Sequence, residues 1–166
     1  MAIKRVNVQR FSVISSKSVL DVIGEIDMAV GHPDMNVFRA NVAAAKTYAE
    51  LEKVVHAVIG PSEMMEFARF NLGEVLRKRN GADAPQSMRL VLGNPLIMSQ
   101  MVEHVPDAGS YAPVTILIDE RQDGVHLSYD RMASLLAPYG NSEALKVARD
   151  LDSKVEALLV AAASER

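Results

Sequence analysis

The chain has 166 residues, of which 49% are apolar and 23% are charged, and its formal net charge is −3. This length and composition favour one soluble globular domain, 1–166, with an ordinary hydrophobic core. The slight negative charge provides no general attraction to nucleic acid or to anionic membranes, so we expect neither as a partner. Without cysteine, the chain forms no disulfide, no cysteine-ligated metal site and no thiolate nucleophile. Because no segment has the apolar run of a transmembrane helix or a signal peptide, we expect a cytoplasmic protein.

The spacing of apolar residues predicts the secondary structure in chain order. The predicted elements are a strand at 4–14, helices at 19–30, 34–45 and 47–59, strands at 64–71 and 88–92, a helix from 95 to 105, strands at 114–118 and 125–129, a short helix from 130 to 140, and a last helix from 141. The segment from 74 to 80 is mixed and charged, and we interpret 81–87 and 106–112 as loops. Asp123-Gly124 is a turn signal between the last two strands, because glycine tolerates positive φ.

The order β-α-(αα)-β-β-α-β-β-α-α lacks the strict alternation of strand and helix that a doubly wound parallel sheet requires. It predicts an α+β fold with a largely antiparallel sheet of about five strands and helices packed on one face. The other face of such a sheet needs a partner, and self-association as a homodimer is the simplest candidate.

Gly93-Asn94-Pro95 follows a predicted strand and opens a helix. A helix N-terminus presents unpaired N–H groups and a favourable dipole to an anion, so this turn is a candidate ligand site. The same three residues also fit a purely structural role, in which glycine turns the chain, asparagine caps the helix and proline starts it. This structural role is the more common one.

The last predicted strand carries His126, Ser128, Tyr129 and Asp130. His126 and Ser128 are two residues apart, so their side chains share one face of the strand and could bind a polar ligand. A solvated outer face explains the pair equally well. A third interpretation is catalysis by His126 with Asp119 or Asp130. Nucleophilic catalysis at this strand would also need a base within hydrogen-bond reach and an oxyanion site, and the sequence shows neither.

Other polar residues suggest no metal or cofactor. His32, His56 and His104 are widely separated and form no metal-binding pair, and neither a GxxxxGK[ST] nor a GxGxxG pattern occurs. The basic run 77–79 could meet a phosphate, although a solvated helix face is its ordinary explanation. We therefore expect no metal and no cofactor.

Three segments together suggest a family: Arg89-Leu-Val-Leu-Gly-Asn-Pro95, Pro113-Val-Thr-Ile-Leu-Ile-Asp-Glu120 and Gly124-Val-His-Leu-Ser-Tyr-Asp130. In this order they resemble the bacterial and archaeal "domain of unknown function 302" family. The resemblance implies an α+β fold of the β-α-β-β-β-β-α kind, and no established activity. The positions shared with the family motifs are Gly93, Asn94, Pro95, Ser128 and Tyr129.

The sequence also departs from the family pattern. Many members have Gly-Thr shortly after the Gly-Asn-Pro, where this chain has 96–98 as Leu-Ile-Met, and many have His-Gly where it has Tyr139-Gly140. We interpret the segment 34–60 as a helical addition to the minimal family core, such as a lid or a dimer arm.

We therefore carry three hypotheses. The first is a domain with little or no catalytic activity that binds a small polar or anionic ligand between the Gly93-Asn94-Pro95 turn and the Ser128-Tyr129-Asp130 strand end. The second is a structural or oligomeric interaction module without a ligand. The third is a weak enzyme that uses His126.

Overall fold

Five strands form one antiparallel sheet in a computed structural model that describes residues 3–165. The strands are β1 Arg10–Ser15, β2 Met65–Asn71, β3 Ser87–Gly93, β4 Val114–Arg121 and β5 Gly124–Asp130. Their order across the sheet is β1-β5-β4-β3-β2, so β2 to β5 are a meander and β1 pairs with the last strand. The predicted α+β class and antiparallel sheet are confirmed.

Seven α-helices connect or follow these strands within the described part of the chain. They are α1 Val19–Ala29, α2 Met35–Ala44, α3 Tyr48–His56, α4 Leu72–Asn80, α5 Pro95–Val102, α6 Met132–Leu136 and α7 Ser142–Ala163, with 3₁₀ turns at Pro106–Ser110 and Ala137–Tyr139. No described helix is both long and apolar enough to cross a membrane.

Helix α4 is the element that the apolar pattern missed. Its first-turn amide at Glu74 donates to the side chain of Asn71 at 2.9 Å, and Gly81 ends it with φ of 96°. Only Gly73 is fully buried in this helix, so the helix has no stripe of large apolar residues. The helix is therefore defined by its caps and by its contact with the rest of the fold, and apolar periodicity does not predict it.

Alternation along the strands separates the two faces of the sheet. In β4 the side chains of Val114, Ile116 and Ile118 are at most 3% exposed and belong to the main hydrophobic core with α1, α5 and α7. Each such side chain contributes about 1.5–3 kcal/mol of hydrophobic stabilisation when fully buried. Thr115, on the opposite face, is exposed. Helices thus cover one face of the sheet, as predicted, and we call the other face the open face.

Strand β1 begins at Arg10, later than the predicted start at residue 4. The predicted strand 4–14 was inconsistent within itself, because its apolar residues before position 10 would lie on the opposite face from those after it. In the structure the strand has a single parity, with Phe11 and Val13 against the core and Arg10 and Ile14 exposed. The shorter strand removes the need for a bulge.

The segment that contains α2 and α3 begins and ends at one point. A Cβ atom built on Gly31 would lie 1.7 Å from the carbonyl oxygen of Val58, and one on Gly60 would lie 2.5 Å from that of Ala29. The two glycines therefore allow the ends of this segment to touch backbone to backbone. The helices also pack against β2 and α5 through a small apolar cluster, in which Phe38 and Val55 meet Met65 and Leu96.

Candidate functional site

Both predicted motifs lie at the same end of the sheet. Gly93 ends β3 and Asp130 ends β5, while β4 begins between them at Val114. Two strand spacings separate the motifs, which is about 10 Å. Each motif lines its own cavity, and Val114 contributes to both.

The Gly93-Asn94-Pro95 turn uses its polar groups internally. The Asn94 side chain accepts from the amide of Leu96 at 2.9 Å and donates to the carbonyl of Glu63 at 2.9 Å. The Asn94 carbonyl accepts from Met98, and Pro95 has no amide hydrogen to offer. The first turn of α5 is therefore left with little capacity to bind an anion.

The cavity beside this turn has a volume of about 210 Å³. Its walls are formed mostly by apolar side chains, including Phe67, Met98, Met101 and Pro113. Such a surface favours an apolar group over a charged one.

The second cavity, which we call the Ser128 cavity, has a volume of about 310 Å³. Ser128 is only 7% exposed, yet within residues 3–165 its hydroxyl makes no hydrogen bond. Thr115 and Asp130 provide further polar groups, and Leu117 and Leu135 provide apolar wall. Among the described residues no fully buried side-chain polar atom lacks a partner, so the unpaired Ser128 hydroxyl keeps access to the cavity and is available to a ligand.

An ion pair lies at the rim of the Ser128 cavity. Arg10 on β1 donates to both carboxylate oxygens of Asp130 on β5, at 2.6 and 2.9 Å. The hydrogen bond to Asp130 raises the pKa of the Arg10 guanidinium, so the guanidinium stays charged. Because its charges cancel, the rim offers directional hydrogen bonding with no net charge.

The hydroxyl of Tyr129 points away from the open face and into the core. It donates to Asp152 of α7 at 2.7 Å, and Asp152 also accepts from the amides of Met132 at 2.7 Å and Ala133 at 3.1 Å. Helix α6 has no cap from its own N-terminal residue, so Asp152 supplies that cap from α7.

Burial shifts the ionisation of this network. It raises the pKa of the Asp152 carboxyl, although the hydrogen bonds from Tyr129, Ala133 and Met132 act in the opposite direction. Burial likewise raises the pKa of the Tyr129 hydroxyl, with the Asp152 charge as the second cause. Tyr129 is thus a protonated donor that joins β5 to α7.

His126 does not form the pair considered for catalysis. Its Nε2 lies 2.8 Å from Asp123 in the hairpin turn. Asp119 instead accepts from Arg121 at 2.6 Å, and Asp130 accepts from Arg10. The hydrogen bond from His126 lowers the pKa of the Asp123 carboxyl. The His126 ring is therefore held by the hairpin tip.

In the described part of the chain, one group of side chains has ligand atoms close enough for a cation. Asp27, His32 and Glu66 have such atoms within 4.8 Å of one another. Arg69 already occupies the position between the acids, because its guanidinium donates to Asp27 and, at 2.7 Å, to Glu66. A metal ion would have to displace this guanidinium.

Sequence reasoning missed Arg10, Thr115 and Asp152. For Asp152 a signal existed, because it lies on the same helical stripe as the buried residues Ala148 and Val155, where a carboxylate needs partners. For Arg10 and Thr115 no local signal existed, since only strand pairing brings them next to Asp130.

The fold and these cavities define an α+β domain built on a four-stranded meander, with a fifth strand added beside its last member. A solved structure from Bacillus stearothermophilus, described as an uncharacterized conserved protein DUF302, is similar with a TM-score of 0.63 and 10% identity. The match covers 92% of this chain and 97% of that one, and at this identity it shows the fold alone.

The profile of the family described as Domain of unknown function DUF302 matches residues 38–162. The chain belongs to this family, as its motifs predicted. Among curated proteins none matches the chain. The matched range includes most of 34–60, and the interpretation of that segment as an addition to the family core stays a prediction.

Proposed function

We propose that this domain binds a small polar ligand in the Ser128 cavity. The observation that carries the proposal is the Ser128 hydroxyl, which belongs to a residue only 7% exposed, lines the cavity and makes no hydrogen bond among the described residues. Ligand pockets commonly combine apolar walls with a few such polar groups. A volume of about 310 Å³ is at the small end of the usual range, which favours a compact ligand.

The electrostatics favour a neutral or zwitterionic ligand over a simple anion. Arg10 and Asp130 cancel each other's charge, so neither sign gains a net attraction at the rim. Their outward oxygen and nitrogen atoms can instead pair with a ligand that carries both a donor and an acceptor. Hydroxylated or amino-acid-like molecules have this property.

In this proposal the neighbouring Gly93-Asn94-Pro95 turn positions α5 and makes little polar contact with the ligand. Asn94 fixes the start of α5, and the apolar cavity beside it accepts at most a methyl or aliphatic group of a ligand. His126 lies further along β5 toward the hairpin, so it contributes little to the bound ligand.

The experiment compares Ser128→Val with Ser12→Val. Ser12 pairs with Ser128 across the β1–β5 ladder but is exposed, so the two variants lose the same hydroxyl on neighbouring strands. A thermal-shift screen of polyols, hydroxy acids and amino acids should find a class that stabilises wild type and Ser12→Val. Ser128→Val should lose that response while keeping its fold.

A screen in which no compound stabilises the wild type would contradict the proposal. So would a compound that stabilises Ser128→Val as much as the wild type. A native mass spectrum of protein purified without added ligand provides a second measurement, because it also detects a copurified molecule.

A second candidate is self-association through the open face. This face spans about 24 by 22 Å, or roughly 500 Å² in flat projection. Stable complexes typically bury roughly 800 Å² per partner, so the contact of a homodimer would have to cover this whole face and continue past its edges. Ile14 at 50% and Phe70 at 48% exposure are apolar side chains on it, on its two edge strands.

Sedimentation velocity tests this candidate. We expect a homodimer that Ile14→Glu or Phe70→Glu converts to monomer, because a charge in a dry contact lacks a partner. Val75→Glu is the control, since Val75 is 69% exposed on α4 and lies outside the open face. A wild-type monomer at every concentration would refute the homodimer.

A further inference from the structure

A third cavity lies on the helix-covered side of the sheet, far along the strands from the Ser128 cavity. It has a volume of about 320 Å³ and lies between the start of α1, the end of β2, helix α4 and the start of β3. Its position depends on Gly73, because a Cβ there would lie 2.8 Å from the amide nitrogen of Ser87. The close approach of α4 to β3 makes one wall of this cavity.

Arg77 is the polar centre of the cavity. It lies one helical turn after Gly73, so it shares the face of α4 that contacts β3. Within residues 3–165, Arg77 forms no ion pair and no hydrogen bond through its side chain. Gln86 and Ser87 line the same cavity. Arg77 is therefore a charged side chain of this cavity without a partner among the described residues.

The second arginine of the cavity is already neutralised. Arg69 is bound by Asp27 and Glu66, which raise the pKa of its guanidinium. These two carboxylates and two guanidiniums together carry no net charge. A ligand with one negative charge meets the unpaired Arg77, whereas a second negative charge would be repelled by the surplus acid beside Arg69.

The opposite wall is apolar. Val19 and Ile23 of α1 line it with Met88 of β3, and Leu20 at its mouth is 71% exposed. An exposed leucine next to an unpaired arginine is a surface suited to a ligand with a charged head and a short hydrocarbon chain.

We propose that this cavity binds the carboxylate of a small aliphatic acid, with Arg77 holding the carboxylate and the α1 wall contacting the chain. The planar guanidinium fits a carboxylate through two parallel hydrogen bonds. The single free positive charge selects a carboxylate monoanion over a phosphate dianion. This site is separate from the Ser128 cavity and does not depend on the function proposed for it.

Isothermal titration calorimetry with octanoate tests the proposal. Arg77→Gln should weaken octanoate binding about tenfold or more, because a charge-assisted bidentate contact is lost. Arg79→Gln removes the same charge from an exposed position of the same helix that does not line the cavity, and it should stay within about twofold of wild type. Leu20→Asn should weaken octanoate about fivefold and leave acetate unchanged.

Any of four results would overturn the proposal. Octanoate at millimolar concentration could fail to bind, octan-1-ol could bind as tightly as octanoate, or Arg77→Gln and Arg79→Gln could lose affinity equally. Ser128→Val should bind octanoate like wild type, and loss of binding in that variant would place the acid in the other cavity. Circular dichroism melts establish that each variant is folded.

Discussion

The buried carboxylate of Asp152 provides the sharpest test of how this fold holds together. Asp152→Ala removes the acceptor of the Tyr129 hydroxyl and of the Ala133 amide, while the Met132 amide keeps the Tyr129 oxygen at 3.1 Å. Each buried donor left without a partner costs about 1–3 kcal/mol. Two donors lose their partner, and removal of a buried charge offsets part of that cost. The free energy of unfolding should therefore fall by about 2–4 kcal/mol.

Urea and thermal unfolding measure this loss. For a domain of this size the loss corresponds to a fall in Tm of roughly 6–12 °C. Asp150→Ala is the matched control, because Asp150 is exposed on the same helix and its side chain has no bond among the described residues. If Asp152→Ala loses less than about 1 kcal/mol, or no more than Asp150→Ala, the capping role of Asp152 is refuted.

Three further predictions concern stability. Because burial raises the pKa of Asp152, the folded chain binds a proton there more readily than the unfolded chain, whose carboxyl pKa is about 3.9. The stability advantage of wild type over Asp152→Ala should therefore grow as pH falls from neutral toward that value, and urea melts showing a shrinking advantage would contradict this sign. Asn94→Ala should lower the free energy of unfolding by about 1–2 kcal/mol in urea melts, because it removes the cap of α5 and the hydrogen bond to Glu63. An unchanged midpoint would argue against this capping role of Asn94. Gly31→Ala should lower the free energy of unfolding by about 3 kcal/mol or more, because the added Cβ would clash with backbone. Gly24→Ala should raise it by up to about 1 kcal/mol, because Gly24 lies in a helix with open space at its Cβ position. Equal effects of the two substitutions would refute the contact at Gly31.

The interpretation of the Ser128-Tyr129-Asp130 strand end changes most between sequence and structure. Its three side chains were grouped by sequence, but the pleat sends Tyr129 into the core and leaves Ser128 and Asp130 on the open face. Ser128 is nevertheless buried, because the cavity wall and neighbouring strands surround it. Alternation predicts the direction of a side chain, and neighbouring elements decide its exposure.

The sequence by itself determined what depends on short separations along the chain. Apolar periodicity predicted the strands and most helices, and the Asn94 cap was predicted because its bond to Leu96 spans only two residues. The family motifs predicted the family. Helix α4 was missed because its one buried residue is a glycine that packs against a neighbouring strand, which leaves no apolar pattern in the sequence.

Only the tertiary structure decided which distant groups meet. Arg10 and Asp130 are 120 residues apart, and they pair because β1 lies beside β5 at the edge of the sheet. Arg69 is neutralised by Asp27 while Arg77 stays unpaired, although both are arginines in charged surroundings of the sequence. Strand order and register are set by burial summed over the whole core, which no local pattern encodes. The cavities exist only once that packing is fixed.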